Sequence, residues 1–280
     1  MRGWLNKPDL FMNKFFKRLL FFAVLTIGVM GIYIYQAGYH PAILMYHQIT
    51  EENAKTSALV VDPFYFEKQM QFLKEHHYNV LPLEEFIAQL KTRKRLPFKT
   101  VTLTLDDGNL DNYTNAYPIL KKYNLPATIF LVTNWIEKPH FLTWKQIQEM
   151  EQNNIRFGNH TLHHAHLPSL SFEEAKKEII ENKIVLNTHL QHPLPIVCYP
   201  FGGYTVSIQN FLKENGYLAA LATSSDGFSA LDDLYALRRV RISKSSNSLF
   251  IFWIETSGYY GWIRQMQKKL KKWKKSWKKS

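Results

Sequence analysis

Hydrophobic positions along the chain follow two patterns. Residues Leu19 to Tyr35, LLFFAVLTIGVMGIYIY, form one uncharged run with no polar face. After it, short apolar or β-branched runs alternate with helical periodicities. Ala42 to Met45, Thr100 to Leu105, Ala127 to Val132, Ile196 to Tyr199 and Leu218 to Thr223 read as strands buried on both faces. Between them, Phe66, Met70, Leu73 and His77 share a helical face, as do Ala175, Ile179, Lys183 and Leu186. Ser171 with Glu174 three residues on makes a capping box ahead of the second helix. Strands alternating with helices predict an α/β domain, a parallel sheet with helices outside, open or closed into a barrel. No internal repeat is visible. The expected divisions are a leader over 1–18, an apolar span over 19–37, one α/β domain over 38–257 and a tail over 258–280.

The apolar run reaches the short end of the length that crosses a bilayer as a helix. Lys14, Lys17 and Arg18 precede it, so the positive-inside rule places Met1 to Arg18 in the cytoplasm and the body outside. No small-x-small cleavage signal follows cleanly, which favours an uncleaved signal anchor and a single-pass membrane protein. The formal charge of +12 changes meaning once it is located. Nine Lys or Arg and no acid lie between Arg264 and Ser280, leaving the body near +3 (12 − 9). A domain so nearly neutral, with its basic tail outside the cell, argues against a nucleic-acid partner. The tail WIRQMQKKLKKWKKSWKKS suits an anionic surface, a wall polymer or lipid headgroups, or else a solvated extension. The single cysteine, Cys198, excludes an internal disulfide.

Reactive groups of parallel α/β folds gather at the carboxyl ends of strands. Three motifs fall there. Thr104-Leu105-Asp106-Asp107-Gly108 ends a strand with two adjacent carboxylates, costly together unless a cation joins them. A solvated turn is its plain alternative. Asn159 to Leu167 carries four histidines, of which His160 and His164 are spaced to converge on one ion, with others as bystanders. With an Asp, that pair makes a three-ligand catalytic metal site. Tyr199-Pro200-Phe201-Gly202-Gly203 is a rigid turn whose backbone amides can face a ligand, and such turns are common.

The order T-x-D-D-G, N-H-T-x-x-H and Y-P-F-G resembles the NodB-homology polysaccharide deacetylases, carbohydrate esterase family 4. Leu44-Met45-Tyr46-His47, Asn115 to Leu120 and Leu125 to Thr128 resemble the branch acting on poly-β-1,6-N-acetylglucosamine. The resemblance implies a distorted (β/α) barrel and a metal-dependent, extracytoplasmic hydrolase removing N-acetyl groups from an N-acetylglucosamine polysaccharide. It implies Asp106 as general base, Asp107, His160 and His164 as ligands of a divalent metal, most simply zinc, and Pro200 with the Phe201 amide at the oxyanion. The family's late Leu-x-His is absent, which nominates His47 as general acid. Cys198 stands where the family commonly has an arginine, and Arg239 is the candidate replacement cation, with Arg238 and Arg241 as alternatives. The family's Asp-Trp element is represented only by Ser225-Asp226-Gly227-Phe228. These departures leave a second reading open, a glycan-binding protein without turnover.

Overall fold

The structure is a computed structural model. It describes residues 7–37, 39–51, 58–92, 96–223 and 233–277; the side chains of 7–15, 32–37, 272 and 274–276 lie outside that description. Contacts divide the chain into two compact units, Met1–Tyr39 and His40–Ser280.

The first unit holds helix α1, Lys7–Ala37, whose described side chains from Phe16 to Gly31 are exposed. Among the described residues no helix is long and apolar enough to cross a membrane. The expected span, Leu19 to Tyr35, falls within α1, and the side chains of its last four residues lie outside the described ones.

The second unit is a barrel with helices around it. Its first half comprises β1 (Ala42–Tyr46), β2 (Gln48–Ile49), β3 (Val60–Val61), α2 (Pro63–Glu75), β4 (Asn79–Val80), α3 (Leu83–Lys91), β5 (Thr100–Leu105), α4 (Tyr117–Tyr123) and β6 (Ala127–Leu131). The second half comprises α5 (Trp144–Glu151), β7 (Ile155–Asn159), α6 (Phe172–His189), β8 (Ile196–Cys198), α7 (Val206–Glu214), β9 (Ala219–Thr223), β10 (Leu237–Arg241), α8 (Leu249–Thr256) and α9 (Tyr260–Trp277). The main sheet has eight strands in the order β1-β10-β9-β8-β7-β6-β5-β4, and a further pairing of β1 with β5 closes all but β4 into a seven-stranded barrel. Every pairing in it is parallel.

Closure explains why the strands read as continuous apolar runs: successive residues face opposite ways, and both faces are covered. Ile43, Phe130, Ile196, Cys198, Ala219, Leu221 and Leu237 cluster inside with Leu83, Phe86 and Ile87 of α3. Alternate residues face outward. Leu44, Leu103, Leu105, Ile129 and Phe157 meet Phe66, Met70 and Leu73 of α2 and Ile147 and Met150 of α5. Val197, Tyr199, Ala220 and Ala222 meet Ala175 and Ile179 of α6 and Ile208 and Leu212 of α7. Each fully buried Leu, Ile, Val, Phe or Met among them contributes about 1.5–3 kcal/mol before entropy is charged.

Two local expectations need correction, and the tail gains a structure. The α2 stripe ends at Leu73: the helix stops at Glu75, and His77 sits beyond it with φ 56°. On α6 the buried stripe is Ala175, Ile179, Asn182 and Leu186, so Asn182 takes the position expected for Lys183. The tail from Tyr260 to Trp277 is helical.

Gly158 on β7 faces Phe130, and a Cβ there would lie 2.5 Å from the ring. Inside a closed barrel the ring has nowhere to move. Gly158→Ala is therefore expected to destabilise by about 1–3 kcal/mol in a chemical denaturation series; a change below the error of that measurement would contradict the packing.

Candidate active site

The carboxyl ends of the strands open on a cleft of about 270 Å³ lined by Met45, His47, Leu59, Asp106, Asp107, His160, His164, Tyr199, Phe201, Thr223 and Arg241. Asp106 follows β5, and strand alternation turns its side chain inward. There it meets Arg239 of β10, whose guanidinium spans both carboxylate oxygens at 2.7 Å each. Arg239 is fully buried and Asp106 is 2% exposed. The guanidinium also donates to Thr104 Oγ1 at 3.1 Å and to Cys198 Sγ at 3.0 Å. Cys198 on β8 thus lines the pocket that Arg239 fills from β10, two strands away across the barrel wall, and its small side chain leaves the room. Burial alone would raise the Asp106 pKa, but the Arg239 charge and hydrogen bonds overturn that and hold it well below the usual carboxylate range.

Asp107 would face away from the barrel interior if the strand continued. Its φ of 76° instead turns it sideways across the cleft. Its Oδ1 lies 3.5 Å from His160 Nε2 and 3.5 Å from His164 Nε2. That oxygen is buried and has no hydrogen-bond partner. His160 follows β7, is 2% exposed, and its Nδ1 lies 2.7 Å from the Cys198 carbonyl oxygen. Donation there fixes one proton on Nδ1 and turns Nε2 toward Asp107. Burial pulls the His160 pKa down, but its contacts with Cys198 and Asp107 overturn that and raise it well above the ordinary imidazole value, so the ring is cationic until a metal takes the place of the Nε2 proton. Burial, then the His160 charge, pulls the His164 pKa down to about 4, so this imidazole is neutral near pH 7.

A divalent cation fits this trio. Ligand atoms about 2.1 Å from a tetrahedral ion lie about 3.4 Å apart, close to the spacing seen between Asp107 Oδ1 and each imidazole. The orphaned buried oxygen is the group such an ion would satisfy. Asp106, His160 and Cys198 also cluster, but Asp106 and Cys198 are occupied by Arg239.

The histidine loop is shaped by α6. Asn182 donates to the carbonyls of Leu131, at 3.0 Å, and Thr161. Asn159 donates to the Ile179 carbonyl at 2.8 Å and accepts from the Thr161 amide at 2.9 Å. His163 is a bystander to the cleft: it is exposed, with Nδ1 2.7 Å from Glu178 Oε1. Asn182 was not legible as a site residue, although an Asn on the apolar stripe of a helix is the signal that finds it.

On the opposite side, His47 follows β1, with Nε2 3.8 Å from Asp106 Oδ2. Its carbonyl accepts from Asn112 Nδ2 at 2.9 Å, and the Ile49 carbonyl accepts from Asn115 Nδ2 at 2.7 Å. Burial lowers its pKa, against the pull of Asp106 and Asp107. Pro200 is buried behind the turn, while Phe201 has φ 57° and a side chain 71% exposed at the rim. Gly202 has φ 72°, and a Cβ there would sit 2.6 Å from the Thr223 backbone nitrogen. Arg241 lines the cleft; Arg238 does not. Ser225 to Phe228 lies outside the described residues.

A family model described as polysaccharide deacetylase matches residues 93–220. YxkH of Bacillus subtilis (strain 168), itself named only provisionally as a polysaccharide deacetylase, is 35% identical over 215 residues, covering 76% of each chain. The poly-β-1,6-N-acetyl-D-glucosamine N-deacetylase of Staphylococcus epidermidis is 30% identical over 65% of this chain and 67% of its own. The Streptococcus pyogenes deacetylase PplD, solved in complex with acetate, superposes with a TM-score of 0.69 at 32% identity, covering 75% of this chain and 98% of that one.

Arg239→Met would strand a buried carboxylate. We expect a loss of about 3–5 kcal/mol near neutral pH. The sign of the pH dependence should also invert. With Arg239 in place, the depressed Asp106 pKa gives stability that persists above about pH 4 and is lost only as pH falls further. Without it, burial raises that pKa, so stability should fall as pH rises from about 4. Unfolding curves across pH test this, and parallel profiles for both proteins would refute it.

Proposed function

Because the chain belongs to the polysaccharide deacetylase family, we propose that it hydrolyses N-acetyl groups from an N-acetylglucosamine-containing polysaccharide outside the cell. The observation that carries this reading is the pair of adjacent carboxylates turned to different partners, Asp106 to Arg239 and Asp107 to the two imidazoles. The names of the relatives support a β-1,6-linked substrate.

Asp107, His160 and His164 would hold the divalent cation, most simply zinc given one carboxylate and two imidazoles. Such an ion supplies Lewis acidity, polarising the acetamide carbonyl and acidifying a water. The residues do the rest. Asp106 is kept ionised and oriented by Arg239, and it takes the proton of the attacking water. The same guanidinium makes Asp106 a weak base, so the acquired proton is readily passed on. His47 Nε2, 3.8 Å away, is placed to receive it. His47 then protonates the departing sugar nitrogen, as collapse of the tetrahedral species requires. The Phe201 amide, presented by the left-handed turn after Pro200, donates to the developing oxyanion. Atoms balance: water and the acetamide become acetic acid and the free amine, which exchange a proton to leave acetate and the ammonium.

Arg239 fills the electrostatic role of the arginine replaced by Cys198, which counts against a glycan-binding protein without turnover.

Acetate release from β-1,6-linked N-acetylglucosamine oligomers by the full chain is expected to require a divalent metal and to stop on chelation. Asp106→Asn and His160→Ala should each lower it by about 10²-fold or more, and His47→Gln by a similar factor. Release that survives both Asp106→Asn and His160→Ala would sink the proposal. Retained glycan binding by the wild-type chain without any release would favour the binding reading instead.

A further inference from the structure

The chemistry above makes no use of α9. Its large apolar residues Trp262, Met266, Leu270, Trp273 and Trp277 recur every three or four positions. At 3.6 residues per turn they fall within an arc of about 80°. These five side chains are 56%, 43%, 57%, 56% and 71% exposed. Arg264, Lys268 and Lys271 lie on the opposite side of the helix by the same rotation, and no acid occurs from Trp262 to the last residue. Just before it, α8 exposes Phe250 and Trp253, at 67% and 49%.

A continuous stripe of this size seeks an apolar partner. An anionic wall polymer would satisfy the lysines and leave the indoles in water. A second copy of the helix would cover the stripe but bring two strongly basic segments together. A bilayer carrying anionic headgroups satisfies both faces at once. The stripe sinks below the headgroups, the indoles sit at the interface, and the lysines reach back to the phosphates. We propose that α9 is an amphipathic helix that lies in the plane of an anionic lipid bilayer and holds the barrel unit against it. This does not depend on the deacetylase reading.

The test uses the full chain bearing Leu270→Cys and a nitroxide label; Cys198 is fully buried and does not compete. The label's accessibility to a water-soluble relaxation agent is read with vesicles of phosphatidylcholine alone and of phosphatidylcholine mixed with phosphatidylglycerol. Because α1 is present in every arm, the label reports α9 alone. The expected result is at least a severalfold loss of accessibility in the anionic vesicles only, reversed by high salt. Adding Lys268→Glu and Lys271→Glu should abolish that loss, while far-ultraviolet circular dichroism of the protein stays unchanged. Equal exposure in both lipids would overturn the proposal. So would equal burial in both, protection by a soluble polyphosphate polymer but not by vesicles, or protection that grows with protein concentration in the absence of lipid, the mark of a second copy.

Discussion

The mouth of the barrel depends on one buried ion pair. Arg239 places a full positive charge inside a closed sheet, where it is tolerable only because Asp106 answers it through two 2.7 Å hydrogen bonds. Several neighbours follow from that requirement. Position 198 must be small, because the guanidinium passes beside it. Thr104 turns its hydroxyl inward, bonded at once to Arg239 and to the Leu44 carbonyl. Asp106 is committed to the interior, so the next residue must do whatever work the cleft requires. Asp107 does this by leaving the strand in a left-handed conformation. Two carboxylates adjacent in sequence thereby acquire different partners and different environments.

Asp107, Thr161, His164 and Phe201 all have positive φ around one cleft. Left-handed backbone costs a non-glycine residue roughly 1–2 kcal/mol. Such conformations persist where surrounding contacts overdetermine them. Here α6 grips the histidine loop through Asn182 and the Ile179 carbonyl, and Asn112 and Asn115 grip the loop carrying His47. The scaffold stores strain at its rim and holds donor atoms at fixed separations before any ligand arrives.

The sequence foretold the α/β alternation because closure buries both strand faces, making β1, β5, β6, β8 and β9 read as apolar runs. It hid β7, where Arg156, Gly158 and Asn159 interrupt the pattern: Gly158 makes room for Phe130, and Asn159 shapes the loop after the strand. In β10 the arginines obscure a strand whose charged side chain is the interior ion-pair partner. Asp106, Asp107, His160 and His164 were visible through chemistry at strand ends. The pairing of Arg239 with Asp106 was visible only as one choice among three arginines, because which one points inward depends on strand register. Asn182 was missed because a polar residue on an apolar helical stripe looks like an interruption rather than a brace. The helical nature of α9 was not anticipated, although the spacing of its tryptophans carries it.

The division of labour between the two carboxylates is the central claim, and metal stoichiometry tests it most directly. Calorimetric titration of zinc into the metal-free full chain should give one ion per chain. Asp106→Asn should keep that ion while losing acetate release, and Asp107→Asn should lose the ion itself. If Asp106→Asn loses the metal, or Asp107→Asn retains it with wild-type affinity, the two side chains do not divide the work as their geometry implies.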